Sequence, residues 1–188
     1  MSGIFGSGAA AGIDTLDLHY EYGGYFGHPL AGMLGVENVP ARCVDVHGQN
    51  GDGYGIPGLG GLWASNEATR EILCYQCGYL GTLAFSTGLK KLDSYQCQQW
   101  FAWDWQNPMP ADLSMCPILE FVSLAANDRC TGVLLPSPAA HVNFVNLNNT
   151  RTSQLNLDSA LAILAAGPVS SGSFDAGHWD QYGPRPDS

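Results

Sequence analysis
Cys74 and Cys77 stand as Cys-Tyr-Gln-Cys, the spacing that lets two thiolates grip one metal ion or act as a redox pair. A zinc site needs two further ligands, and Cys97 with Cys116 or Cys130 could supply them. The chain offers neither a second Cys-x-x-Cys nor a closely spaced His pair, and a thioredoxin-type motif would follow a strand and open a helix. Cys74, Cys77, Cys97 and Cys116 are therefore low-ranking metal candidates. With Cys43 and Cys130 they make six cysteines, an even number that could form three disulfides in an oxidising compartment or pack as reduced, apolar thiols.

Other chemistry-bearing patterns are weaker. Gly53-Tyr-Gly55-Ile-Pro-Gly58 fits the dinucleotide fingerprint literally, but Pro57 and the glycines after it deny the helix that fingerprint must open. Asp45, Asn50 and Asp52 lie among glycines without the closing Glu of a calcium loop. His19, His28, His47, His141 and His178 are scattered, with no pair at i, i+4 and no nucleophile elbow. Asn148-Asn149-Thr150 is a glycosylation sequon that matters only in a secretory compartment. No catalytic residue is assigned, no cofactor is implied, and a non-enzymatic role is expected.

The stretch Cys97–Cys116 holds Trp100, Trp103 and Trp105, three of the five tryptophans, and reads as a packing or interface anchor. Tyr22, Tyr25 and Phe26 near the N-terminus and Trp179 near the C-terminus are the expected contacts of two arms. The spacing Cys97-x-x-Trp100, Cys116-Pro117 and Ala126-Asn-Asp128-Arg129 resembles, over about thirty-four residues, the AMOP module of extracellular adhesion proteins. Ile118 and Cys130 stand where that module has a cysteine and an aromatic. The resemblance implies a secreted, disulfide-bonded adhesion module as the alternative function.

Positioning these residues requires elements, and their signals are uneven. Most of the 24 glycines fall in residues 1–62, which read as an arm or loop layer with short strands at Leu16–Tyr20 and Cys43–Val46. A helix is expected from Ser65, with Leu73, Cys77, Leu80 and Ala84 on one face and a stop at Gly88. A second, buried helix is expected from Pro117 through Ala126, strands at Val133–Pro136 and Ala140–Leu147, and a short helix capped by Asp158 and closed by Gly167-Pro168. No internal repeat is evident at a fixed period. The expected class is α+β: a compact helix-containing middle with short β-strands over 63–167, and glycine-rich extended arms over 1–62 and 168–188.

Composition narrows the role. Charged residues make up only 13%, the net charge is −10, and Lys90-Lys91 is the only adjacent basic pair, so nucleic acid is a poor partner. No apolar run is long enough to span a membrane, and no classical signal peptide is expected if Met1 is the true start. A polar but weakly charged surface suits packed interfaces. The expected function is a non-enzymatic structural subunit of a larger assembly, such as a virion, filament or sheath, whose partners are copies of itself or other subunits.

Overall fold
The computed structural model describes residues 13–20, 32–49, 59–77, 80, 82–97, 109–127, 129–168 and 171–177. The order of elements is β1 (Ile13–Asp17), β2 (Gly32–Gly35), β3 (Ala41–Asp45), β4 (Leu59–Ala64), β5 (Glu71–Leu73), β6 (Thr82–Phe85), β7 (Lys91–Asp93), β8 (Met109–Asp112), β9 (Phe121–Ser123), β10 (Cys130–Leu134), β11 (Phe144–Asn146), α1 (Gln154–Ala166) and β12 (Ser173–Asp175). Alternate strands build one seven-stranded sheet in the order β1-β3-β5-β7-β9-β11-β12, and every pairing in it is parallel. The intervening segments return along the other side as the parallel sheets β2-β4-β6 and β8-β10, and then as α1. The chain winds as a coil, each turn adding one strand to the long sheet.

The core explains the winding. Ala41, Val44, Val46 and Gln49 are buried, and the same spacing of three, two and three residues recurs in the next four turns. It buries Thr69, Ile72, Cys74 and Cys77, then Leu89, Leu92, Ser94 and Cys97. Leu119, Val122, Leu124 and Asn127 follow, and finally Val142, Val145, Leu147 and Thr150. This is the L-x-x-L-x-L-x-x-N/C spacing of leucine-rich repeats, with smaller residues at several leucine positions. One such turn cannot bury its apolar edge alone; stacking on its neighbours does so.

Hydrogen bonds lock the turns at their strand ends. Beyond the strands the backbone ladder continues: Val46 N–H donates to Leu73 O at 2.8 Å, Cys74 to Asp93 O at 2.9 Å and Ser94 to Ser123 O at 2.9 Å. The last buried residue of each spacing then donates its side chain to a main-chain carbonyl. Gln49 bonds Leu18 O, Cys77 Sγ bonds Val46 O at 3.1 Å, and Cys97 Sγ bonds Cys74 O at 2.6 Å. Asn127 Nδ2 bonds both Ser94 O and Leu124 O at 2.7 Å, and Thr150 Oγ1 bonds Leu147 O at 2.8 Å. Between strand and side-chain bond the chain turns through a left-handed residue: Gly48 (φ 74°), Gln76 (58°), Gln96 (59°), Ala126 (57°) and Asn149 (59°).

This architecture overturns the expected α+β class and its helix-containing middle. The described residues from Ser65 to Gly88 are β5, β6 and turns, and the expected helix from Pro117 to Ala126 is β9 and its turns. The reason is the mixed spacing: steps of three imitate a helical face, while the single step of two, Ile72 to Cys74, belongs to a strand. The glycine-rich arms are corrected too, since β1 and β3 at one end and β12 at the other are strands of the same sheet as the middle. The last helix is present as α1, starting before Asp158: Ser153 is its N-cap, accepting from Asn156 N–H, and Gly167 follows it. The expected strands near Leu16, Cys43, Val133 and Phe144 are present with shifted ends.

Candidate interaction face
One face of the long sheet lines the core, and the other carries the side chains that alternate with it. In register, the outward positions form columns. The first runs Thr15, Cys43, Glu71, Lys91, Phe121, Phe144 and Ser173. The second runs Asp17, Asp45, Leu73, Asp93, Ser123, Asn146 and Asp175. Just past the strand ends, the ladder aligns His19, His47, Tyr75, Tyr95, Ala125, Asn148 and Gly177 as a third.

The second column has a structural cause. The N–H groups of the third column have no part in the ladder, and where the residue two positions earlier is Asp or Asn its side chain accepts them. His47 N–H bonds Asp45 Oδ1 at 3.1 Å, Asn148 bonds Asn146 Oδ1 at 3.0 Å and Gly177 bonds Asp175 Oδ1 at 3.0 Å. His19 N–H bonds Asp17 Oδ1 at 3.2 Å. The imidazoles join the same carboxylates: His47 Nδ1 lies 2.5 Å from Asp45 Oδ1, and His19 Nδ1 is bonded to Asp17 Oδ1. An ionised carboxylate only accepts, so Nδ1 carries the proton in each pair. The side-chain and backbone bonds from His19 hold the Asp17 carboxyl below its ordinary range. Among the described residues these bonds fall on Oδ1, and Oδ2 of Asp17, Asp45 and Asp175 accepts none.

Aromatic rings stack along the columns because adjacent strands stand about 4.8 Å apart. The rings of His19 and His47 are 4.7 Å apart and 1° from parallel, and those of His47 and Tyr75 are 4.3 Å apart. Phe121 and Phe144 stack at 4.4 Å, with Lys91 Nζ 5.2 Å from the Phe121 centroid. The basic side chains on this face lie toward the strand starts and two are matched: Arg42 bonds Asp14 at 2.7 Å and also Glu71, and Lys90 bonds Glu120 at 2.7 Å. Among the described residues Asp93 has no such ion pair. Burial raises its carboxyl above the ordinary range, against the opposing effects of the Tyr95 N–H, Lys91 and the Ser123 hydroxyl.

All six cysteines are free and buried. Cys74 sits at a strand-end core position, while Cys77 and Cys97 occupy the carbonyl-bonding position of successive turns. Cys116 Sγ lies 3.7 Å from Ser86 O and Cys130 Sγ 3.1 Å from Gly132 O. Burial pushes the thiols of Cys43 and Cys116 up to about 11 and that of Cys130 to about 12. The hydrogen bond with Cys97, followed by burial, raises Cys77; burial chiefly raises Cys97. For Cys74, the bond from Cys97 acts downward but burial and neighbouring charge leave it raised. These are thiols held protonated, the form poorest at metal binding and exchange. Among the described residues no group of three or more His, Cys, Asp or Glu is arranged to hold a metal ion.

Of the expected anchors, Trp100, Trp103, Trp105, Tyr22, Tyr25, Phe26 and Trp179 lie outside the described residues. The sequon is placed: Asn148 is half-buried on the outward face, and the Thr150 hydroxyl is buried against Leu147 O. Sequence reasoning missed the face itself. Its signal was the repeat of Asp or Asn two residues before the turn, in Asp17-Leu-His19, Asp45-Val-His47, Asp93-Ser-Tyr95 and Asn146-Leu-Asn148. A shallow apolar groove of about 300 Å³ between α1 and β11, lined by Val142, Leu161, Leu164 and Phe174, has no converging titratable group. Among the described residues no helix is long and apolar enough to cross a membrane. No family model matches the sequence, and neither the curated proteins nor the solved structures contain a match to it.

Proposed function
We propose that the chain is a non-enzymatic structural subunit that joins a larger assembly by protein–protein contact, with the outward face of the seven-stranded sheet as its docking surface. The observation that carries this reading is the face's stacked aromatic and carboxylate columns, which run across successive turns and form no catalytic constellation. Stacked repeats are suited to such a role because each turn adds another strip of the same surface, giving a long, stiff platform. Rigid His, Tyr and Phe rings bury area at little entropic cost. The aromatic residues Tyr22, Tyr25, Phe26, Trp100, Trp103, Trp105 and Trp179 are proposed as further contacts. The secreted, disulfide-bonded alternative and the metal or redox reading draw no support from six buried, protonated thiols.

Native mass measurement combined with side-chain oxidation footprinting tests the proposal. A multimer or defined complex is expected, in which Tyr75, Tyr95, Phe121 and Phe144 lose reactivity while Met33, Trp63 and Met115, exposed elsewhere, keep theirs. A chain that stays monomeric over a wide concentration range, alone and with co-purifying material removed or restored, would overturn it.

A further inference from the structure
The seven-stranded sheet ends in two strands that are each paired on one side. β1 meets β3 and β12 meets β11, and among the described residues no strand lies beyond either. In a parallel ladder alternate residues turn their N–H and C=O groups to opposite sides. Leu18 N–H donates to Asp45 O, so Leu16 and Leu18 face β3, while Thr15 and Asp17 turn their main-chain groups outward. Ser173 N–H donates to Asn143 O and Asp175 O accepts from Leu147 N–H. Gly172, Phe174 and Ala176 therefore face away from β11. Open edges are ordinarily blunted by Pro, Lys or a bulge, and neither Ile13–Asp17 nor Ser173–Asp175 contains one.

The core is unfinished at the same two ends. Val44, Ile72, Leu92, Val122 and Val145 stand in one column of the ladder and are at most 1% exposed. The column ends in Leu16, 8% exposed, and in Phe174, which is half-buried. Stacked repeats are ordinarily closed by capping turns with a polar outer side, and these end residues are large and apolar. Beside Phe174 opens the apolar groove between α1 and β11. Its lining includes Ser171, at the position where Leu89, Leu119 and Val142 are buried in preceding turns.

We propose that the chain associates head to tail with a second copy of itself, the outer edge of β1 in one copy adding in parallel to the outer edge of β12 in the next. The inference rests on the subunit role proposed above and names one partner; its surface is the two ends of the sheet, not the outward face. A second copy is the occupant because the two edges complete each other in the register the sheet already uses. Continued by one strand, that register sets Thr15 beside Ser173, Leu16 beside Phe174 and Asp17 beside Asp175. Phe174 N–H then donates to Thr15 O and Ala176 N–H to Asp17 O. In return Thr15 N–H donates to Gly172 O and Asp17 N–H to Phe174 O. Leu16 extends the buried column, and Ile13, half-buried in its own copy, comes level with Ser171 at the groove. Asp17 beside Asp175 repeats the Asp17–Asp45 pairing present within one chain. Because unlike edges meet, each addition leaves one edge of each kind open, and growth continues.

The test is light scattering on the full chain, and on Thr15→Pro and Ala176→Pro, over a range of concentrations. Each proline removes an outward N–H that the ladder within one copy does not use, so the fold is spared, which unchanged circular dichroism checks. The parent is expected to form a concentration-dependent series of oligomers. Each variant alone should stay monomeric at concentrations at least tenfold above those at which the parent associates. Mixed, the two should form a heterodimer and stop there, because Thr15→Pro keeps an open β12 edge and Ala176→Pro an open β1 edge. Either variant associating alone as tightly as the parent, or a mixture without heterodimer, would overturn the inference. Hydrogen exchange on the parent gives a second reading that needs no variant. The amides of Thr15 and Phe174 should be protected in the oligomer and exchange freely after dilution to monomer. Protection that persists in the monomer would mean that the edges are covered within one chain, and would overturn the pairing. If the parent joins other subunits but never itself, or if both proline variants assemble like the parent with Tyr75 and Phe121 covered, the docking role stands and the head-to-tail pairing falls.

Discussion
At the scale of single residues, the turn positions show what each coil costs. Ala126 holds a left-handed backbone, φ 57°, that disfavours any residue with a Cβ by roughly 1–2 kcal/mol. Ala126→Gly removes that strain and returns part of it as chain entropy, so a net gain of about 0.5–1 kcal/mol in denaturant unfolding is expected. Gly48 occupies the equivalent position, but a Cβ there would stand 2.1 Å from Tyr20 O. Gly48→Ala should therefore lose more than about 2 kcal/mol, since backbone cannot move aside as a side chain would. Asn127→Ala leaves the Ser94 and Leu124 carbonyls without their side-chain donor in the core and should cost about 2–4 kcal/mol. Asp93 behaves in the opposite sense. Its carboxyl titrates higher in the folded chain than in the unfolded one, so its contribution to stability is fullest below the unfolded value and is lost as pH rises through the folded value. Asp93→Asn should be at least as stable as the parent at neutral pH, with an advantage that shrinks on acidification; melting curves from acid to neutral pH decide this.

At the scale of elements, α1 is held by a contact that its own sequence does not advertise. Gly132 in β10 has φ 136°, and a Cβ on it would lie 2.7 Å from Asn156 Cβ in the first turn of the helix. Asn156 Nδ2 also donates to Thr131 O at 2.8 Å. Gly132→Ala should push α1 off β10, reducing helical circular dichroism and exposing Ala160, the one helix residue that is fully buried. The end of α1 was legible in the sequence because Gly167-Pro168 is a local stop signal, but its start was not, since Ser153 rather than Asp158 is the N-cap. Strands near Leu16, Cys43, Val133 and Phe144 were legible from β-branched and alternating residues. The two expected helices were not strands in any local sense: Leu73, Cys77, Leu80 and Ala84 do recur at helical spacing, and only stacking on the neighbouring turns makes Leu73 face outward and Ile72 inward. The outward face was illegible because it is assembled across turns, from residues such as His19, His47 and Tyr75 that no short window contains.

At the scale of the whole molecule, the repeat escapes notice because the turns differ in length. The in-register residues Cys43, Glu71, Lys91, Phe121, Phe144 and Ser173 are separated by 28, 20, 30, 23 and 29 residues. Insertions are carried in the returns while the three-two-three spacing stays fixed, as expected when each turn touches only its neighbours and length can vary without disturbing the stack. The same near-neighbour logic predicts how the molecule opens. Leu92 is fully buried in β7, the central strand, between Ile72 and Val122. Leu92→Ala removes apolar contact and leaves a cavity, a loss of about 2–5 kcal/mol. In a globule with one shared core this would raise hydrogen exchange everywhere by a similar factor. In a stacked coil the opening is local: amides of Cys74, Ser94 and Leu124 should exchange markedly faster, while those of Leu18 and Leu147, at the two ends of the sheet, change least. Site-resolved native-state exchange measures this directly, and a uniform increase from Leu18 to Leu147 would mean that the chain unfolds as one unit. Local opening confined to the central turns would leave the terminal turns, and the outward residues they carry, in place.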